Sequence, residues 1–370
     1  MKVFSSFYNY PMKKSIAILS FVALVVVAYS CKKNGSTPAK TAYLDLPATP
    51  YPYFDSFNVN MNRMATLGRV LFYDGHLSLN NTISCASCHK QALGFADNAA
   101  LSAGFEGKLT KRNTPTIADV RMKQTFFWDG RENNIENLTI RPITSHVEMG
   151  ISDPTTLPQK LAALPYYSSL FADAFGDGEI TTERISTAVA AFMNAISSGQ
   201  SRLDMFQSGN TGALTAQELQ GKSLFDTKYD CGSCHNGGGV IVFGGYGGGR
   251  GSIFLDIGLE NTYNDKGHGV ITGRAADNGT FTVPNLHNVA LTAPYMHDGR
   301  YKTLSEVIDH YSHGIIKTPN LDPILTDGAG HARRMNITDE EKQAIIAFLN
   351  SLTDHHLITD PKFSNPFKSR

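Results

Sequence analysis

The sequence carries no net charge, because 33 lysine and arginine residues balance 33 aspartate and glutamate residues. A chain without excess positive charge has no general electrostatic attraction for nucleic acid or for an anionic membrane surface. We therefore expect no nucleic-acid partner. Of the 370 residues, 41% are hydrophobic and 18% are charged, which is typical of a globular protein of about two domains.

The chain also lacks an apolar run long enough to cross a bilayer comfortably. One apolar run, residues 16–28, follows two lysines and is typical of the central region of a signal peptide. Cys31 comes shortly after it, which favours a lipoprotein with a signal peptide over residues 1–30 and a lipidated tether over residues 31–50. The alternatives are a cleaved secretory signal with a leftover thiol and an uncleaved anchor. All three place the protein outside the cytoplasm, and we expect it in the periplasm, anchored to a membrane by its lipid.

Cysteine is scarce, and four of the five cysteines fall in two copies of the pentapeptide Cys-x-x-Cys-His. In such a motif the two thiols can form thioethers with a haem, and the histidine can ligate its iron. The sequence therefore predicts two covalently bound c-type haems and leaves no cysteine pair for a disulfide. Zinc binding is a weaker alternative, because zinc ribbons keep their cysteine pairs about 15–20 residues apart and these pairs lie much further apart. The predicted haem-binding residues are Cys85, Cys88 and His89 in the first motif and Cys231, Cys234 and His235 in the second.

The two motifs lie within an internal duplication. Residues 68–72 precede the first motif and residues 221–225 precede the second, with Gly at the start and Leu-Phe at the end of both. After the motifs, residues 115–131 and 284–300 match in length and in their terminal Pro and Asp-Gly-Arg. Such a match in order and spacing indicates that each half is one haem-bearing module.

Helical patterns dominate the rest of the chain. Capping boxes that begin at Thr215 and Thr338 predict two helix starts, and residues 187–196 are apolar at helical spacing, with Gly199 as a plausible C-cap. The one strand candidate is residues 240–243, inside a glycine-rich stretch. We predict an all-α fold of two cytochrome c-like haem domains with long loops, an N-terminal domain over residues 51–205 and a C-terminal domain over residues 206–370.

Ligands for the far side of the first haem are few. Residues 90–121 contain no histidine, methionine or cysteine, and the next candidates are Met122, His146 and Met149. This predicts an open iron site, which an enzyme that activates peroxide needs beside an acid/base group. Glu148 is the candidate for that group, and an ordinary surface carboxylate is the alternative.

The second half is rich in candidate ligands, which predicts a fully ligated haem suited to electron storage. A helix over residues 303–313 would prevent His310 and Tyr311 from facing one iron together. The candidates in sequence order are Met296, His297, His310, Tyr311 and His313.

Trp128 is the only tryptophan of the chain, and His297 takes its place in the duplicate. A single tryptophan most often contributes to core packing. Its position in the repeat, where we expect the two modules to meet, also favours a role as an electron relay between the haems.

Together these motifs resemble those of the bacterial dihaem cytochrome c peroxidase/MauG family over about residues 67–352. The segments that carry the resemblance are residues 112–115 (Arg-Asn-Thr-Pro), 127–131 (Phe-Trp-Asp-Gly-Arg), 142–149 (from Pro to Glu-Met) and 291–299 (Leu-Thr-Ala-Pro-Tyr-Met-His-Asp-Gly).

The resemblance implies a role for each conspicuous residue. His89 would hold the peroxide-binding haem of low potential, and His235 the electron-transferring haem. Glu148 matches the catalytic glutamate of the family, and Trp128 matches the tryptophan between the haems. The resemblance also implies one calcium ion at the domain interface, bound by Asn113 and by backbone oxygens of Thr292 and Pro294.

Three departures from the family pattern bear on function. Phe105 stands where peroxidases that need reductive activation have a distal histidine, so no ligand would have to leave the first haem. Tyr311 stands where the peroxidases have an axial methionine on the second haem, as in MauG, and tyrosinate stabilises ferric iron. His287 replaces the arginine of the usual Leu-Arg-Asn, with no role evident from the sequence.

The function expected from these observations is that of a lipid-anchored, periplasmic dihaem peroxidase that reduces hydrogen peroxide to water. Its electrons would come from a small donor such as a cytochrome c or a cupredoxin. A MauG-like oxidase that acts on a partner protein is the first alternative, favoured by Phe105 and Tyr311. A non-enzymatic electron-transfer cytochrome is the second alternative, and it would require ligands on both faces of both irons. A homodimer is a further hypothesis.

Overall fold

A computed structural model describes residues 42–235 and 254–369. The signal peptide, Cys31, most of the tether and the strand candidate at 240–243 lie outside the described residues. The α-helices of the described part are α1 (Val59–Tyr73), α2 (Cys85–Cys88), α3 (Ile135–Thr144), α4 (Leu157–Ala162), α5 (Tyr167–Phe175), α6 (Thr182–Ala195), α7 (Arg202–Gln207), α8 (Ala216–Ser223), α9 (Gly232–His235), α10 (Gly269–Thr272), α11 (Leu304–Asp309) and α12 (Asp339–Asn350).

Short 3₁₀ and π turns connect many of these helices, and strands are few in the described part. The π turns are Leu224–Lys228 and His310–Gly314. The strands are β1 (Ala42–Leu44), β2 (Phe254–Leu255), β3 (Phe281–Thr282) and β4 (Phe367–Ser369). The 3₁₀ turns are Gly75–Leu77, Gln91–Leu93, Phe105–Gly107, Val120–Met122, Pro154–Thr156, Ala275–Asp277, Val289–Leu291, Pro323–Leu325 and Pro361–Phe363.

The strands form two small two-stranded sheets. β1 pairs with β4, and β2 pairs with β3 in antiparallel register. Residues 45–367 form one unit, and the described residues outside it, 42–44 and 368–369, belong to a second, small unit. None of the described helices has the length and hydrophobicity needed to span a bilayer.

The capping boxes predicted from the sequence are confirmed. Thr215 and Thr338 each accept a hydrogen bond from the backbone N–H three residues later, at the starts of α8 and α12. The prediction for Gly199 was wrong, because α6 ends at Ala195 with Ile196 as its C-cap. The N–H of Ile196 closes the last turn on the carbonyl of Met193 and the chain then leaves the helix in an extended conformation, so no left-handed glycine is needed.

The core of the first half is the close crossing of α1 and α6. At the crossing, Gly68 contacts the backbone of Ala188, and a Cβ on Gly68 would lie 1.9 Å from the Ala188 carbonyl oxygen and 2.8 Å from Phe192 Cβ. Only a residue without a side chain lets the two helices approach so closely.

The second half repeats this crossing with α8 and α12. A Cβ on Gly221 would lie 1.9 Å from the carbonyl oxygen of Ala344 and 2.9 Å from Phe348 Cβ. The glycine, the alanine and the phenylalanine four residues later therefore occupy the same places in both halves. The duplication inferred from the sequence is confirmed in the packing.

The later repeat, residues 115–131 and 284–300, brings the two halves into contact. Asn113 donates its backbone N–H to the carbonyl of His297 at 2.7 Å, and Thr282 donates its own to the carbonyl of Trp128 at 2.9 Å. Since Asn113 corresponds to Thr282 and Trp128 to His297, the two copies exchange equivalent hydrogen bonds. Such a reciprocal pair of hydrogen bonds is what a local two-fold axis between the two repeats produces.

Candidate haem sites

The first Cys-x-x-Cys-His motif forms one helical turn. The Ser84 N–H donates to Ser87 Oγ at 3.0 Å where the turn begins, and the His89 N–H donates to the Cys85 carbonyl at 2.9 Å where it ends. None of the four motif cysteines forms a disulfide within the described residues. The turn therefore holds two thiols and an imidazole together in the order that covalent haem attachment requires.

Both motif histidines are held by backbone carbonyls. The Nδ1 atom of His89 lies 2.9 Å from the Phe95 oxygen, and that of His235 lies 3.2 Å from the Pro284 oxygen. Burial lowers the pKa of both imidazoles and so favours the neutral form. With Nδ1–H donated to a carbonyl, Nε2 keeps its lone pair for a metal, which is the usual arrangement of a histidine ligand. The residues present thus fit two c-type haems.

Zinc gains no support from the described part of the chain. No three or more histidine, cysteine, aspartate or glutamate side chains there converge on a common point where a metal ion could be held. Zinc sites usually need four such ligands.

Glu148 lies near enough to the first motif for its charge to act on both thiols. Burial raises the pKa of Cys85 to about 12, and the charges of Cys88 and Glu148 add to the rise. Glu148 also contributes to the raised pKa of Cys88. Its carboxylate makes no hydrogen bond or ion pair with the rest of the described residues. A carboxylate left unpaired beside the haem attachment site is available to exchange protons.

The loop around Phe105 holds the backbone of the Glu148 segment. The N–H of Phe105 lies 2.8 Å from the Val147 oxygen and 2.9 Å from the Glu148 oxygen. Its ring packs on Gly150, where a Cβ would approach within 2.9 Å. Phe105 has no atom that can ligate iron, so here it serves to position Glu148. Of the other first-half candidates, His146 is exposed and Met149 is buried.

The second motif borders a cavity of about 230 Å³, far larger than one water molecule requires. Cys231, Cys234, His235 and Tyr311 contribute to its wall, and most of the remaining lining is apolar. π turns, which are frequent at functional sites, precede Cys231 and contain Tyr311.

Among the second-half candidates, His310 and Tyr311 differ in whether their side chains are available to ligate iron. Both nitrogens of His310 are occupied, since Nε2 lies 2.9 Å from the Ile257 oxygen and Nδ1 lies 3.3 Å from the Tyr301 hydroxyl. Burial lowers the pKa of His310 to about 4, so it stays neutral in this pair of contacts. Tyr311 faces the cavity, and burial followed by the charges of Cys234 and Cys231 raises its pKa.

Met296 and His297 also line the cavity, whereas His313 is exposed. His297 is buried and its ring stacks on Phe281 at a centroid distance of 3.8 Å. Burial lowers the pKa of His297. The cavity therefore has more than one side chain that can approach a bound group, and the structure removes His310 and His313 from the candidates.

First-half residues also line this second-half cavity. Trp128 does so, with its indole N–H donated to the Asn113 carbonyl at 2.9 Å. The predicted calcium ligands Asn113, Thr292 and Pro294 all lie in the same wall. The structure thus brings Trp128 and the three predicted calcium ligands together at the second motif, apart from Glu148 at the first.

His287, whose role the sequence did not indicate, is fully buried between two carboxylates. Nδ1 lies 3.0 Å from Asp119 of the first half, and Nε2 lies 3.5 Å from Asp204. Burial opposes protonation of His287, but the hydrogen bond to Asp119 and the negative charges of Asp119 and Asp204 outweigh it and raise the pKa to about 9. With its pKa at about 9, His287 is a buried cation at neutral pH.

Two cavity residues had no signal in the sequence. Lys123 and Arg333 both line the cavity of the second motif. Lys123 lies within the repeated segment 115–131 and Arg333 in a loop, but no sequence pattern assigned either a role, and only the folded chain reveals that both reach the same space.

Comparison with known proteins agrees with this geometry. A family model described as di-haem cytochrome c peroxidase matches residues 62–212. The cytochrome c551 peroxidase of Nitrosomonas europaea is 33% identical over 294 residues, which cover 78% of this chain and 80% of that protein. The methylamine utilization protein MauG of Methylorubrum extorquens is 32% identical over 289 residues, 77% of each chain.

A solved structure shows the same relationship. The crystal structure of a MauG-like protein associated with microbial copper homeostasis matches with a TM-score of 0.73 and 32% identity, over 90% of this chain and 99% of that one. Relatives that are named cytochrome c peroxidases are oxidoreductases. The chain therefore belongs to the di-haem cytochrome c peroxidase family, and is an oxidoreductase with two c-type haems.

Proposed function

We propose that the protein is a periplasmic, lipid-anchored peroxidase that reduces hydrogen peroxide to water with electrons from a small redox protein. The observation that carries the proposal is the unpaired carboxylate of Glu148 beside Cys85 and Cys88. The lipid anchor rests on Cys31, which lies outside the described residues.

The reaction joins one peroxide molecule, two electrons and two protons to form two water molecules. Cys85, Cys88 and His89 would hold a haem, whose iron would supply the site of peroxide reduction. Glu148 takes a proton from one peroxide oxygen and returns it to the other, which leaves as water. The backbone of Phe105 holds the Glu148 segment in place through its bonds to the carbonyls of Val147 and Glu148.

Electrons would reach the first haem from the second through Trp128. The support is its place in the cavity wall at the second motif, with its indole fixed by the Asn113 carbonyl. Tyr311 would hold the iron of the second haem together with His235, since it lines the cavity while both nitrogens of His310 are engaged elsewhere.

A calcium ion at the predicted site is part of the proposal. The amide nitrogen of Asn113 donates to the carbonyl of Ala99 at 3.1 Å, which leaves the amide oxygen as an acceptor. Carbonyl and amide oxygens are the ligands that Ca²⁺ prefers. Removal of calcium with a chelator should lower the midpoint of thermal unfolding, and calcium but not magnesium should restore it.

The function is tested by electron paramagnetic resonance of the fully ferric protein before and after addition of hydrogen peroxide, together with steady-state oxidation of a reduced small cytochrome c. A high-spin signal that peroxide removes, with turnover, is the expected result. Two low-spin signals that peroxide leaves unchanged, with no turnover, would contradict it.

A MauG-like oxidase that acts on a partner protein is the second candidate. Phe105 and Tyr311 favour it, because both differ from the peroxidases that need reductive activation, and Tyr311 agrees with MauG. A MauG of 32% identity is among the relatives. Peroxide-dependent oxidation of a partner protein, with slow oxidation of small cytochromes, would favour this candidate over the first.

A further inference from the structure

Lys123 is a cation without a partner in the wall of the second cavity. Its side chain lines the cavity, and burial lowers the pKa of its ammonium group. Within residues 42–235 and 254–369, the ammonium group makes no hydrogen bond and no ion pair. Lys123 is half-buried, and a charge partly withdrawn from water in mostly apolar surroundings is costly unless an opposite charge compensates it.

Asp119 is close enough to raise the pKa of Lys123, but its carboxylate is already saturated. One oxygen accepts from Ser197 Oγ and the Ser198 N–H, and the other accepts from the Asn285 amide and His287 Nδ1. Four donors occupy the roughly four lone-pair sites of a carboxylate. Asp119 therefore acts on Lys123 through its negative charge, but its carboxylate has no acceptor site left for a hydrogen bond from the ammonium group.

The second cavity cation, Arg333, lies at a different place. Its charge acts on Cys231, so it lies near one of the thiols that would join the haem. The vinyl groups that form thioethers lie on one edge of a haem, and its two carboxylate side chains lie on the opposite edge. Among the described lining residues, Arg333 is therefore the cation nearer the thioether edge, and Lys123 is the one left for the carboxylates.

We propose that Lys123 pairs with a carboxylate group of the haem bound at Cys231 and Cys234. The first half of the chain then supplies an ionic contact to the cofactor of the second half. A positive charge held near this haem in low-dielectric surroundings stabilises the reduced iron more than the oxidised iron, and so raises the reduction potential. The inference needs the two haems of the family but not peroxide reduction, so its failure leaves the proposed function untouched.

The test is a spectroelectrochemical titration of the second haem in the holoprotein. Lys123→Met removes the charge and Lys123→Arg keeps it, while Lys317→Met removes a charge from an exposed lysine of the second half. We expect a more negative potential in Lys123→Met, with potentials near wild type in Lys123→Arg and Lys317→Met. Should the methionine impair haem loading, Lys123→Gln provides a second neutral side chain for the same titration.

Three outcomes would overturn the pairing. These are an unchanged potential in the neutral Lys123 variants, an equal shift in Lys317→Met, and a shift in Lys123→Arg as large as that in Lys123→Met.

Discussion

The two halves of the molecule share their packing and differ in what faces their haems. In both, a glycine lets two helices cross against an alanine carbonyl, at Gly68 in the first half and at Gly221 in the second. In both, the motif histidine donates Nδ1–H to a backbone carbonyl. The first site then has an unpaired carboxylate, Glu148, whereas the second has Tyr311 in the wall of a mostly apolar cavity.

The comparison separates the residues that build a haem module from those that give it a role. Helix crossing and haem attachment tolerate little variation, because close packing and covalent geometry constrain them. Glu148 lies in a turn and Tyr311 in a π turn, both outside the helix crossings, where residues can change without altering the core. The copies therefore diverged where loops such as the one around Phe105 meet the site.

The largest effect that we expect is on Glu148, which has no counterpart in the second half. Glu148→Gln removes the proton acceptor and should lower peroxide turnover about 100- to 10,000-fold, the usual range for acid/base groups. Both haems should remain, as the absorption spectrum would show. Glu106→Gln, an exposed carboxylate in the neighbouring loop, is the control, and equal losses in both variants would contradict the acid/base role.

A Tyr311 variant tests whether the second haem site, unlike the first, has a side chain that ligates the iron opposite the motif histidine. Tyr311→Phe removes the proposed axial ligand and should change the spectrum and spin state of the second haem, while the first haem keeps its signal. Tyr301→Phe is the matched control, since its hydroxyl contacts His310. An unchanged second-haem spectrum in Tyr311→Phe would rule out ligation by this residue.

The glycine crossings test whether the halves are equivalent in packing. Gly68→Ala and Gly221→Ala each place a Cβ 1.9 Å from a carbonyl oxygen, and should destabilise the protein by about 1–3 kcal/mol through overpacking. Gly199→Ala, with nothing within 4 Å of the added Cβ, is the control. Thermal unfolding measures all three, and a neutral effect at either crossing would contradict the shared packing.

The last prediction is a pH dependence, and it concerns the contact between the halves through His287. Its folded pKa of about 9 lies above the ordinary value of 6.5. Its contribution to stability is therefore complete below pH 6.5 and is lost as pH rises to about 9. The free energy of unfolding should fall by up to about 1.4 kcal/mol per pH unit in this window.

Denaturant titrations across pH 6–10 measure this slope. His287→Arg keeps the positive charge without titrating in the window. It should therefore remove the contribution of this site to the change in unfolding free energy with pH. An identical slope in the variant would assign the pH dependence to other groups.

Local patterns in the sequence were sufficient for several features of the fold. The capping boxes at Thr215 and Thr338 were predicted correctly, since a cap depends on residues within one turn. The helix containing residues 187–196 was predicted, but its C-cap was not. Its end depends on a backbone turn at Met193 and Ile196 rather than on a glycine.

The sites were predictable in part. The haem motifs are contiguous, so the sequence alone revealed the attachment residues. His310 and Tyr311 are adjacent in the chain and could not be ranked from it. The structure separates them because Ile257, distant in sequence, supplies the carbonyl that engages His310.

The sequence by itself determined two covalent haem sites and the duplication around them, because both are written in short contiguous segments. Only the tertiary structure decided that Lys123 reaches the second cavity and that His287 lies between Asp119 and Asp204. These positions depend on the contact between the two repeats, which joins residues far apart in the chain. Side chains with no local pattern acquire their role there through burial and the charges around them.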